Sequence, residues 1–218
     1  MMGVKDYVLD LLFPPKCVFC HRLLDDGEKD ICRACAEGTE VHGEPFIPDF
    51  ASDSVGECFA PLVYEDNVRK SLHRYKFGGR RFYAGIYAGI ICDTLSHGEL
   101  DCDIITWAPL SKARLRKRGY DQARLLAEEI SKRIGTPCVR TLVKTKNIKP
   151  QSSLGAAGRL NNIRNVYSPA AGVNLNGKQI LLVDDIITTG ATVSECASVL
   201  KGAGASFVKV VGAARTMT

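Results

Sequence analysis

Two adjacent carboxylates, Asp184 and Asp185, are followed at once by Thr188, Thr189, Gly190, Ala191 and Thr192. Before them stand Ile180, Leu181, Leu182 and Val183, an apolar run that reads as a strand buried on both faces, as in a parallel sheet. The acid pair falls where that strand is expected to end. A helical pattern opens at Val193 and runs to Lys201. A helix N-terminus offers unpaired N–H groups and the positive end of its dipole to an anion. Gly190 lets the backbone curl close to that anion, and the threonine hydroxyls add donors. The two carboxylates would repel a bare phosphate. They would instead accept hydrogen bonds from the hydroxyls of a sugar whose phosphate rests in the turn. Such a ligand belongs outside the carboxyl ends of the strands of an open parallel sheet. No G-x-x-x-x-G-K-[ST] loop occurs, and no G-x-G-x-x-G follows a strand, so the common nucleotide-phosphate motifs do not compete.

A second group of chemistry-bearing residues lies near the N-terminus. Cys17-x-x-Cys20 and Cys32-x-x-Cys35 are separated by eleven residues that include the turn signal Asp25-Asp26-Gly27. Four thiolates at that spacing suit one tetrahedral zinc ion and leave no open position, so the expected role is structural. The chain holds nine cysteines, an odd number that argues against a disulfide framework. Cys58, Cys92, Cys102, Cys138 and Cys196 read as small core residues. A third group is basic: five of the seven residues 112–118 are Lys or Arg, following a strand at 103–110. Arg114, Arg116, Lys117 and Arg118 in a loop after a parallel strand would share the sheet edge with the acid pair, where guanidinium forks and ammonium charges suit phosphate oxygens.

The elements that must position these groups alternate. Strands are expected at 59–64, 103–110, 137–143, 180–183 and 207–211, and helices at 4–13, 67–75, 82–96, from Asp121 onward, and 193–201. Residues 38–58 read as a linker with little periodicity, and 144–165 as a polar loop long enough to act as a lid. The alternation predicts an α/β fold: a parallel sheet flanked by helices, behind a small four-cysteine module. The division expected is residues 1–50 for the helix and cysteine module and 51–218 for the sheet domain. Apolar residues make up 45% and charged residues 24% of 218, with a net charge of +5, which permits an anionic partner without demanding one. No stretch is apolar over about 18 residues, so no membrane span is expected. Asp6 and Asp10 make the N-terminus unlike a signal peptide, and a cytoplasmic location is the default.

The order of these motifs resembles the ComF family of bacterial proteins. The matching residues are the double CxxC; Pro109-Leu110, Arg116, Arg118-Gly119-Tyr120 and Gln122; Gln151, Leu154, Arg159, Asn162 and Tyr167; and the acid-pair stretch from Val183 to Thr192. Asp121 stands where the family commonly has Asn. The acid-pair stretch is similar to the 5-phosphoribosyl-1-pyrophosphate (PRPP) motif of type I phosphoribosyltransferases. The resemblance implies a zinc finger ahead of a phosphoribosyltransferase domain, linked in competent bacteria to DNA uptake and natural transformation. It implies PRPP, or another ribose 5-phosphate, as ligand. Asp184 and Asp185 would hold the ribose hydroxyls. The turn from Thr188 to Thr192 would hold the 5′-phosphate, and Arg114, Arg116, Lys117 and Arg118 the diphosphate, with Mg2+ bridging ligand oxygens. Asp184, Asp185 and Arg118 would act on the reacting group. A glutamine-dependent amidotransferase is not expected, because 218 residues leave no room for a glutaminase domain.

A binding protein is the competing class. It would keep the fold without turnover and use basic surface with stacking aromatics on single-stranded DNA, with DNA-uptake proteins as further partners. Arg74, Tyr75, Lys76, Phe77, Arg80 and Arg81 are the candidates. The sequence sets no acceptor, no general base and no oligomeric state.

Overall fold

A computed structural model gives the fold and describes residues 14–49, 52–145 and 166–217. In chain order, the first half holds α1 (Arg33–Gly38), β1 (Glu57–Phe59), β2 (Leu62–Val63), α2 (Asp66–Phe77), α3 (Tyr83–Thr94), α4 (His97–Leu100) and β3 (Ile104–Trp107). The second half holds α5 (Lys112–Arg118), α6 (Gln122–Ile134), β4 (Leu142–Lys144), β5 (Tyr167–Pro169), β6 (Gln179–Ile187), α7 (Ala191–Gly202) and β7 (Phe207–Arg215). The helix expected at 4–13 and the loop at 146–165 lie outside the described residues. No helix among the described residues is long and apolar enough to cross a membrane.

The main sheet is entirely parallel, ordered β1-β7-β6-β3, with β2 continuing along the same edge of β7 as β1. Leu181, Leu182 and Val183 of β6 are fully buried, as an apolar run in a parallel strand requires. Alternate residues serve opposite faces. Leu181 and Val183 pack with Leu72, Tyr75, Tyr87, Ile91 and Leu126 from α2, α3 and α6. Ile180 and Leu182 pack with Val193, Cys196, Ala197 and Leu200 of α7. Each Val, Leu or Ile side chain among these contributes roughly 1.5–3 kcal/mol by leaving water.

Four expectations change in detail. The strand expected at 59–64 is two short pieces, interrupted where Pro61 has no N–H to give the ladder. The stretch 137–143 is not a sheet strand. Only Cys138 bridges Ile105, and β4 then turns away to pair antiparallel with β5. The basic stretch 112–118 is a helix rather than a loop. Ser111 caps it by accepting the Arg114 N–H at 3.3 Å, and Gly119, at φ +77°, closes it. It buries no residue, so no apolar stripe announced it. The acid pair lies within β6, which runs on to Ile187.

The cysteine turn is built into the same core. Cys17, Val18, Phe19, Cys32 and Cys35 are buried and cluster with Leu72, Tyr75, Tyr83 and Tyr87.

Candidate ligand cavity and zinc centre

β3 stops where the site begins. Trp107 pairs with Val183, and the Ala108 N–H gives one last bond to the Val183 carbonyl at 3.0 Å. From Asp184 onward β6 keeps β7 on one side and opens on the other. Into that opening face a cavity of about 320 Å³ and its walls. Asp184, Asp185, Thr188 and Thr192 line it from β6 and the start of α7; Arg114, Arg118 and Asp121 from α5 and the start of α6; Lys76 from α2; Lys144 and Tyr167 from the β4–β5 ribbon.

Neighbouring strand residues point to opposite faces, and the acid pair divides accordingly. Asp185 is 8% exposed and turns toward α2, where its Oδ1 lies 3.0 Å from Lys76 Nζ. Asp184 Oδ1 accepts the Asp185 N–H at 2.8 Å, and its charge is felt by Cys196 on α7. Burial first, and then the Asp185 charge, push the Asp184 carboxyl up to about 7, against the pull of Lys76. Burial likewise raises Asp121, although Leu110 and Arg124 donate their N–H groups to it at 3.0 and 3.3 Å. The Asp185 charge adds to the rise of both Asp184 and Asp121, so the site favours a ligand that brings hydroxyl donors or a cation.

A raised carboxyl has a stability consequence of known sign. The folded chain holds the Asp184 proton more tightly than the unfolded one, so ionisation costs stability as pH climbs from about 4 toward 7. Asp184→Asn is therefore expected to stabilise the protein by about 1–4 kcal/mol at pH 8 and to leave it unchanged at pH 4. Thermal melts of both proteins at the two pH values check this; equal melting temperatures at pH 8 contradict it.

The hydroxyl turn has a cover. Gly190 sits at φ +80° before α7, and a Cβ there would lie 2.3 Å from the Cβ of buried Pro48. Pro48 thus packs directly on the turn. Gly190→Ala is expected to cost about 1–3 kcal/mol, from the left-handed backbone and the displaced proline together. A melting temperature within a degree of wild type would speak against the contact.

Of the expected anion-holding residues, the helical period brings Arg114 and Arg118 to the cavity. Arg116 and Lys117 are exposed and are not among its lining residues; nor are Thr189, Gly190 and Ala191. Arg118 Nη1 donates to Gln122 Oε1 at 2.9 Å, and its guanidinium lies 4.7 Å from the centre of the Phe77 ring. Lys144 and Tyr167 were not anticipated as lining residues. Lys144 Nζ donates to the Tyr167 hydroxyl at 2.8 Å. Burial and then the Arg114 charge hold Lys144 below its usual range. Tyr167 was matched only as part of the family's loop pattern and no motif marks Lys144, because the ribbon pairing that joins the two spans the polar loop.

In the N-terminal module the four cysteine sulfurs lie within 4.8 Å of one another. Cys20 Sγ and Cys32 Sγ are 3.7 Å apart, close to the edge of about 3.8 Å expected for sulfurs around one zinc at 2.3 Å. Burial works against the Cys32 thiolate, but the Cys35 N–H and the Arg22 side chain outweigh it and bring the thiol to about 6. The donor set fits a closed structural zinc. His21, beside Cys20, is not part of the cluster.

Comparison with known proteins agrees with both halves. Residues 8–54 match the double zinc ribbon domain, and residues 121–217 match the phosphoribosyl transferase domain. The chain is 37% identical over 223 residues to competence protein F of Haemophilus influenzae, covering 92% of this chain and 96% of that protein. It is 31% identical over 199 residues to competence protein ComFC of Bacillus subtilis, covering 87% and 80%. It is 26% identical over 229 residues to the DNA utilization protein YhgH of Escherichia coli, covering 95% and 100%. A four-cysteine ribbon, a parallel sheet with its acid pair at an open strand, and relatives matched along nearly their whole length together place this chain in the ComF family of competence proteins.

Proposed function

We propose that the cavity at the open end of β6 binds PRPP, or another ribose 5-phosphate, and that the protein transfers or senses the phosphoribosyl group in support of DNA uptake. One observation carries this reading. Carboxylates, a hydroxyl turn at a helix N-terminus and two arginines, separated in sequence, meet around one cavity of ribose-phosphate size. In this reading Asp184 and Asp185 accept from the ribose hydroxyls, and Thr188 and Thr192, the two turn residues that line the cavity, hold the 5′-phosphate at the start of α7. Arg114 and Arg118 meet the diphosphate directly, while Arg116 and Lys117 contribute only through their field. Lys144 adds a charge on the opposite wall. The hard oxygen donors of the acid pair suit Mg2+ held largely through water, which would neutralise ligand oxygens when bound. If turnover occurs, the bond from C1 to the diphosphate breaks through an oxocarbenium-like state, and the site contributes placement and charge rather than a covalent step. Free thiols and a PRPP ligand suit a cytoplasmic working place.

Calorimetric titration of the zinc-loaded protein with PRPP, with and without Mg2+, tests the reading. Saturable one-site binding is expected, and its absence would remove the ligand assignment.

A second reading is favoured by the surface beside the cavity. Phe77 and Phe82 are 55% and 62% exposed, with exposed Arg80 and Arg81 between them. Stacking aromatics among cations suit single-stranded DNA. Of the earlier candidates, Arg74 and Lys76 are engaged within the protein, Tyr75 is fully buried, and Arg81, though exposed, donates to the Gly119 carbonyl at 3.2 Å, which leaves Phe77 and Arg80. Binding of an oligonucleotide that weakens steeply with salt, and that Phe77→Ala and Phe82→Ala reduce, would support this reading.

A further inference from the structure

The last turn of α2 touches three parts of the protein with three successive residues. Arg74 donates from Nη2 to the carbonyls of Val18 and Phe19, at 2.8 and 2.6 Å. Those carbonyls belong to the turn between Cys17 and Cys20. Tyr75, fully buried, donates its hydroxyl to the Gln122 carbonyl at 2.8 Å and accepts at its own carbonyl from the Tyr120 hydroxyl. Lys76 places Nζ 3.0 Å from Asp185 Oδ1. Gln122 Nε2 donates to the Lys76 carbonyl at 3.4 Å, and the Arg118 guanidinium lies over exposed Phe77, so α5 and α6 also grip the helix end. The helix closes at Gly78, whose N–H bonds the Arg74 carbonyl at 2.7 Å.

A lysine side chain carries about 2 kcal/mol of rotamer entropy and reaches one partner reliably only from a fixed backbone. Here that backbone is held by the cysteine turn on one side and by α6 on the other. A packed helical turn moves as a unit, so releasing one grip shifts the others.

We propose that the zinc turn is a positioning element of the ligand cavity, acting through Arg74 to set Lys76 on Asp185. The four-cysteine centre and the cavity are then energetically coupled. Coupling is reciprocal: what tightens the cavity must also tighten the metal. Loss of zinc by chelation would lower the affinity of a site on the far side of α2. The ligand in this inference rests on the ribose-phosphate reading; the coupling to Asp185 does not.

The test uses the full zinc-loaded chain with Arg74→Met, which keeps the packing stem and removes the donors, Arg74→Lys, Lys76→Met, and the double variant. Without ligand, melting temperatures form a double-mutant cycle. The expected result is that the double variant loses no more than the larger single loss, and that Arg74→Lys recovers part of it. Independent, additive losses overturn the proposal, whether or not PRPP binds. With PRPP, Arg74→Met is expected to lower affinity about tenfold in the wild-type background and not in Lys76→Met, as for contacts in one network. PRPP should also slow zinc transfer to a chromogenic chelator in the wild type and not in Arg74→Met. Normal PRPP binding with zinc transfer unchanged overturns the coupling. No PRPP binding by the wild type removes the ligand reading alone and leaves the ligand-free cycle to decide. If Arg74→Met fails to fold, Arg74→Lys against Lys76→Met supplies the same cycle.

Discussion

Replacing Asp184 and Asp185 together by asparagine is expected to lower PRPP affinity by about 100-fold or more, on the basis of roughly 1.5–3 kcal/mol for each hydrogen bond to a charged acceptor. The fold should survive, because asparagine keeps the volume and the Asp184 change by itself relieves a buried charge. The two positions should differ in character. Asp185 is held beside Lys76, so its substitution leaves an ammonium without its partner in a half-buried place. Asp184 carries the pH dependence. Its carboxyl titrates near 7, because burial and then Asp185 raise it, so wild-type affinity should fall as pH drops from 8 to 6. In Asp184→Asn that slope should flatten. Isothermal titration at both pH values separates the effects, and an unchanged affinity in the double variant would sink the assignment of the cavity.

The second large effect concerns the cysteines. Cys17→Ser or Cys32→Ser is expected to abolish stoichiometric zinc, and with it the order of the whole N-terminal module, since metal affinity in such sites is folding free energy, of order 10 kcal/mol. The damage should spread. Val18 and Phe19 are buried against α2 and α3, so a loosened turn uncovers the main core as well. A fall in melting temperature of about 10 °C or more is expected, or recovery only as aggregate. Metal analysis together with melts in the presence of a chelator checks this. Full zinc loss with an unchanged melt would show that the thiols are merely accessory.

Features that lie within one short stretch could be read from the sequence. The double CxxC, the buried run 180–183 and the turn before α7 all encode their geometry locally, by spacing, by apolarity and by a glycine that tolerates a left-handed backbone. Features made by packing could not. The pairing of Lys144 with Tyr167 depends on an antiparallel ribbon whose two halves sit on either side of the polar loop. The ion pair of Lys76 with Asp185 joins residues more than a hundred positions apart, and only the docking of α2 on the sheet selects that lysine among many. The basic stretch looked like a loop because its helix buries nothing, and apolar periodicity is the signal by which helices are recognised. Taking 112–118 as helix matters for function. It separates Arg114 and Arg118, which reach the cavity, from Arg116 and Lys117, which do not.

The chain has one tryptophan, and it stands at the end of β3, where the sheet gives way to the cavity. Its ring is 8% exposed and lies 5.7 Å from the Arg124 guanidinium, on the helix capped by Asp121. The single indole of the chain therefore stands one residue before Ala108, which lines the cavity. A change in Trp107 emission on adding PRPP is the expected signal, read on the unaltered protein with no dye, no label and no coupled assay.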